Sequence, residues 1–192
     1  MEKEKLTNEE SLNIITEMIE TAKKNYNDNG FFLRLWGWLV IIGSLGHFFL
    51  MMYTEFEHPY YAWGVIIIGL IWSPVYRIKA AKKESVSTHI DRLHAFTWLI
   101  FFVNYVIILV FMKKLDYNIC SLILMIAAGS VFMSGILIKF KPLLYSAAFI
   151  WIIAIISFFM ADEYQLLMAA IASAGYLIPG YMLKVKYNKE NV

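Results

Sequence analysis

Polar side chains inside long apolar runs are where chemistry would show, because such groups are costly in hydrocarbon and persist there for a reason. Two of appreciable size stand out: His47, set among Gly43, Ser44 and Gly46, and Asn104, beside Tyr105. One reading makes them a pair lining a ligand or proton site. The other makes each a hydrogen-bonding link between neighbouring helices. No carboxylate or basic residue accompanies them at mid-run, which favours the link.

A second constellation, His89-Ile-Asp91-Arg92-Leu-His94, has metal-ligand residue types. On a helix, however, residues five apart lie about 140° from one another, which spoils a shared site. The segment reads instead as a solvated cap to the apolar run that follows. His-Glu-x-x-His, a Gly-x-Ser-x-Gly turn and a Gly-rich phosphate loop ending in Lys are all missing from the chain. The expectation is a protein that is not an enzyme, with no cofactor and no metal.

The elements that would position these residues are membrane helices. An apolar fraction of 60% exceeds the roughly 45–50% of soluble domains. The excess falls in six blocks of about 17–23 residues, long enough to span hydrocarbon at 1.5 Å per residue. They lie near Phe31–Tyr53, Tyr60–Tyr76, Leu93–Met112, Ile119–Ile138, Leu143–Ala161 and Tyr164–Leu183. Uninterrupted apolar runs lack the alternation of a membrane β-strand, so the fold class is all-α. Trp36, Trp38, Tyr53, Tyr60, Tyr61, Trp72 and Tyr76 cluster toward block ends as headgroup-level anchors. Arg34 is expected to snorkel to that level.

Residues 1–30 form a polar leader that reads as an amphipathic helix. Thr7 and Glu10 fit a capping box, Leu12, Ile15, Ile19, Ala22 and Tyr26 recur at three- and four-residue steps, and Asp28-Asn29-Gly30 supplies a stop. It lacks a signal-peptide core, so the expectation is that nothing is cleaved and the first span serves as the membrane address. Its stripe would lie on lipid headgroups, on the chain's own bundle or in a partner's groove. The organisation expected is thus a leader over 1–30, a six-span bundle over 31–184 and a short tail over 185–192. Pro74 and Pro179 predict kinks or stops in spans two and six. Gly129, Ser130, Ser134 and Gly135 in span four, with Ala172, Ser173, Gly175 and Gly180 in span six, predict close helix contacts.

Fifteen of the seventeen Lys and Arg residues fall on one side of this arrangement, and Lys113 and Lys114 alone on the other. By the positive-inside rule both termini are cytoplasmic, and the outer turns, near Glu55/Glu57, Asp116 and Asp162/Glu163, are short and acidic. The Arg77–Arg92 loop carries five of the basic residues, and Lys79, Lys82, Lys83 and Arg92 form a candidate contact surface. The net charge of +2 follows from this asymmetry and implies no nucleic-acid partner. The lone Cys120 precludes an intramolecular disulfide. A gap-free shift of 60 residues superposes Trp38 on Trp98, Gly69 on Gly129 and Lys79 on Lys139, and Pro74-Val-Tyr76 echoes Pro179-Gly-Tyr181. These few matches raise the prospect of three tandem hairpins arranged about the membrane normal.

The leader Leu6-Thr-Asn-Glu-Glu-Ser-Leu, the stretch Leu35-Trp-Gly-Trp-Leu and the ending Tyr176-Leu-Ile-Pro-Gly-Tyr-Met-Leu-Lys184 resemble small multi-pass membrane proteins of Bacteroidota-type bacteria. That group has no assigned activity. The resemblance implies a bacterial inner membrane and carries over no functional residue. Because nearly all distinctive polar surface is expected to be cytoplasmic, the function expected is a membrane accessory or regulatory protein. It would act through its leader and basic loop on a cytoplasmic protein partner, or on a second copy of itself, with the lipid bilayer as its setting. The alternative is a small-molecule or lipid carrier with His47 and Asn104 in a site between spans one and three.

Overall fold

A computed structural model describes residues 29–81, 89–115 and 118–190. These form seven α-helices and two 3-10 segments, with no strand among the described residues. The helices are α1 Phe31–Tyr53, α2 Ile66–Ala81, α3 His89–Val110, α4 Ile119–Leu137, α5 Lys141–Ser157, α6 Asp162–Ala172 and α7 Ala174–Glu190. The leader through Asp28, the centre of the basic loop including Lys82 and Lys83, and Asp116 lie outside the described residues.

Among the described residues, five stretches are long and apolar enough to cross a membrane: Phe31–Tyr53, Pro59–Lys79, Arg92–Val110, Ile119–Leu137 and Asp162–Lys189. Helix α5 is a shorter apolar helix of 17 residues. Their helicity follows from chemistry, since in lipid each backbone N–H and C=O must find its partner within the segment.

Local signals set the breaks. Thr54 ends α1 by turning extended, and its Oγ1 donates back to the Leu50 carbonyl at 2.6 Å. Pro59 starts the 3-10 segment Pro59–Val65, where a missing N–H leaves no orphan donor. Between α4 and α5 the chain closes in a Schellman turn. Phe140 N–H donates to the Gly135 carbonyl at 3.0 Å, Lys139 N–H to Ile136 at 3.2 Å, and Lys139 takes φ 52°. The last apolar block is not one continuous helix. At Ser173 the N–H is shared between the Ala169 and Ala170 carbonyls while Oγ donates to Ala169 at 2.9 Å, and this back-bonding marks the α6/α7 break. Neither Pro74 nor Pro179 stops its helix, and α7 runs through the expected tail to Glu190.

The core lies where α4 meets α5. Ala127, Ala128 and Val131 of α4 and Leu143, Ala147, Ile150 and Ala154 of α5 are buried. Small side chains let these backbones approach, the packing device that replaces the hydrophobic effect in lipid. Gly135 seats Leu143 and Leu144, and Gly175 seats Ile150, since an added Cβ would lie within 3.0 Å of each neighbour. Gly129 does not share this role, because a Cβ there would meet open space. Ser130 and Ser134 keep their hydroxyls on the Ile126 and Ser130 carbonyls of their own helix.

Around this core, α1 packs on α2, on the 3-10 segment and on α6 and α7, while α3 packs on α4. Each consecutive pair forms a hairpin, but the junctions between hairpins are unequal. The α4/α5 junction is the most intimate in the molecule, whereas α2 and α3 make no extended close approach among the described residues. A symmetric set of three hairpins is therefore not what forms.

Candidate functional site

The two polar residues singled out by the sequence are not brought together. His47 on α1 faces the 3-10 segment, where its Nδ1 accepts a hydrogen bond from Trp63 Nε1 at 3.1 Å. Gly43, one turn earlier, makes room for the Trp63 ring: a Cβ there would meet Trp63 Cε3 at 2.8 Å. His47 thus links neighbouring segments of one hairpin. Asn104 stands exposed on α3, its Nδ2 donating to the Ile100 carbonyl of the same helix at 2.8 Å. No close α1/α3 interface joins them, so the site expected between spans one and three is not assembled. Near the start of α3, His94 Nε2 accepts from Trp98 Nε1 at 3.2 Å. Among the described residues no three His, Cys, Asp or Glu side chains gather as metal ligands. Lys79 is exposed near the C-terminal end of α2 and Arg92 near the N-terminal end of α3.

A site does form where the chain enters α1. Asn29 Nδ2 donates to the Tyr76 hydroxyl at 2.7 Å, while Asn29 Oδ1 accepts from Phe31 N–H at 2.9 Å. Tyr76 stacks on Phe31 with ring centroids 3.9 Å apart and meets Phe32 edge-on. Gly30 takes φ 66°, a left-handed conformation that glycine adopts without penalty. It also touches α7, since a Cβ on Gly30 would overlap the Gly180 carbonyl. In return, a Cβ on Gly180 would meet Arg34 Cγ at 2.9 Å and Leu33 Cβ at 3.1 Å.

Arg34 completes the node. Its Nε donates to the Gly30 carbonyl at 3.2 Å and its Nη2 to Asn29 at 3.3 Å, and the guanidinium lies 5.6 Å from the centre of the Tyr181 ring. The Tyr181 hydroxyl accepts from Trp38 Nε1 at 3.2 Å. The side chain reaches back toward the helix N-terminus, the direction a snorkelling arginine takes. Asn29 and Gly30, the expected stop of the leader, are thereby fixed to α2 and α7 at once. The sequence held one signal of this, the echo of Pro74-x-Tyr76 in Pro179-x-Tyr181: both tyrosines contact the α1 entry.

A second polar cluster joins α4, α5 and α6 at their other end. Ser121 Oγ lies 2.8 Å from Ser157 Oγ and 3.5 Å from Gln165 Oε1. Gln165 Nε2 is 3.1 Å from Asn118 Oδ1 and 3.4 Å from both the Met160 carbonyl and Asp162 Oδ1. Cys120 Sγ donates to the Gln165 carbonyl at 3.2 Å. Ser121, Ser157 and Gln165 are all buried. The sequence reading missed this cluster because Gln165 falls three residues past Asp162, where it reads as a flank of the outer turn.

Comparison of the chain with family models, with curated proteins and with solved structures finds no match.

Proposed function

We propose that this chain is a six-span integral protein of a bacterial inner membrane, both termini cytoplasmic, that serves as a non-enzymatic accessory or regulatory protein. Its working surface is the leader together with the Arg77–Arg92 segment, which engage a cytoplasmic protein partner. The sixth span of this reading is α5 with the turn through Met160, about 20 residues and enough to cross hydrocarbon. The positive-inside asymmetry supports the orientation.

The observation that carries the reading is the hydrogen bond from Asn29 to Tyr76. It ties the end of the leader to a residue adjacent to Arg77, so the leader and the basic segment depart from one point of the bundle. Arg34 and the Gly30–Gly180 approach fix that point to α7 as well. A docking surface made of two mobile arms would lose more entropy on binding than one whose bases are already set side by side.

The test is native mass spectrometry of the full chain and of a variant lacking residues 1–28, each gently extracted from its own membrane. The expected result is a second polypeptide in fixed ratio with the full chain and its loss from the truncated one, with the thermal unfolding of the bundle unchanged. Equal recovery of that polypeptide with both chains would refute the reading.

A further inference from the structure

Helix α3 is the least covered of the long apolar helices: none of its hydrophobic window is buried by the rest of the chain. Its packed side, through Trp98 and Phe101, turns to the α4 core. About a quarter-turn away lies a second row, Leu93, Thr97, Ile100, Asn104, Ile107 and Phe111, whose alternating four- and three-residue steps are those of a heptad seam. Ile100 is 62% exposed, Ile107 49% and Phe111 55%. Asn104 is near the centre of this row and about 5 Å along the helix from the middle of the Arg92–Val110 span.

An exposed apolar row alone would call for nothing but lipid. Asn104 changes that. Its amide carries two N–H donors and a carbonyl acceptor, and its one bond among the described residues uses a single N–H on the Ile100 carbonyl. Acyl chains offer the remaining donor and acceptor no partner at this depth. An amide is complementary to itself, so a twofold-related copy of the same side chain satisfies donor and acceptor together.

We propose that α3 is a self-association surface, where a second copy of this chain packs along the Leu93–Phe111 seam and Asn104 pairs with Asn104 of that copy. The apolar residues supply the contact, and the asparagine fixes the register, as a single polar residue does in a coiled-coil seam. The inference goes beyond the accessory reading and rests only on α3 spanning the membrane.

The test is cysteine cross-linking of the full chain in its native membrane, in a Cys120→Ala background. Ile100→Cys and Ile107→Cys are expected to give disulfide-linked dimers on mild oxidation, whereas Leu99→Cys and Val106→Cys, on a third face of α3, give none. Adding Asn104→Leu to Ile100→Cys should lower the cross-linked fraction about tenfold, and Asn104→Gln should retain most of it. The cysteine comparison keeps Asn104 intact and does not depend on how that variant folds. Equal cross-linking on both faces, an Asn104→Leu variant that cross-links undiminished, or a cross-link to a different polypeptide in place of the dimer would each overturn the proposal.

Discussion

The two polar clusters at opposite ends of the bundle use similar groups to opposite effect. The Ser121/Ser157/Gln165 cluster is buried and uncharged at its centre, and its members bond to one another and to Asn118, Asp162 and the Met160 carbonyl beside them. The Asn29/Arg34/Tyr76/Tyr181 node is partly open, carries a guanidinium, and holds the place where a polar segment joins the bundle. Buried and internally satisfied groups have nothing left to offer a ligand, so their contribution is to the specificity and stability of packing. Half-exposed groups at a chain junction contribute less to stability and more to where the attached segment points. Variants in the first cluster should therefore act on the whole bundle, and variants in the second on partner recovery.

The largest effect is expected at Gln165. Gln165→Ala leaves a cavity and removes the amide from Asn118 and Ser121, and should lower stability in detergent by about 3 kcal/mol in denaturant unfolding. Gln165→Leu fills the volume and leaves the short Ser121–Ser157 bond in place, so its loss should be about 1 kcal/mol. If Gln165→Ala instead abolished partner recovery with the bundle intact, the division between the two ends would fail.

Gly30→Ala comes next. It forces a side chain into a left-handed conformation and onto the Gly180 carbonyl, together about 2 kcal/mol. The strain falls on the chain entry, so partner recovery should drop more steeply than the thermal midpoint of the bundle. Tyr76→Phe is milder. It keeps the stack on Phe31 and deletes the hydroxyl that accepts from Asn29, a loss of about 1 kcal/mol. Partner recovery measured by native mass spectrometry should still fall, and equal falls in Gln165→Leu and Tyr76→Phe would erase the contrast.

How much of this was legible beforehand depends on the kind of information each feature needs. The helical stretches at 31–53 and 119–137 were readable almost to the residue, because apolar length and the demand for internal hydrogen bonding determine them. The Ser173 break was not, since a serine inside an apolar run reads as tolerated until its back-bond to Ala169 is seen. His47 reads as a polar group in need of a partner, but periodicity says nothing of which neighbour supplies it, and in the structure Trp63 donates to it. Pairing it with Asn104 required α1 and α3 to be adjacent, and helix order around a bundle is set by side-chain fit rather than by chain order. Gly129 and Gly135 look alike in sequence, yet only the latter is pressed by a neighbour. The entry node was visible only as a repeated Pro-x-Tyr whose meaning needed both helices in place.

The smallest effect tests whether the core itself is tuned. Lys139 holds a positive φ at the C′ position of the Schellman turn between α4 and α5, where glycine is the usual residue. Lys139→Gly removes the left-handed strain, offset in part by the greater freedom of glycine in the unfolded chain, and should stabilise the α4/α5 hairpin by about 0.5–1 kcal/mol. The same change deletes one of the basic residues on which the proposed orientation rests, leaving Lys141 alone at that turn. If the thermal midpoint rises while reporter fusions show part of the population with that turn outside, the lysine sits there for topology at a small expense in stability. A midpoint that stays level or falls would mean that Lys139 makes contacts within the folded bundle that outweigh its strained backbone.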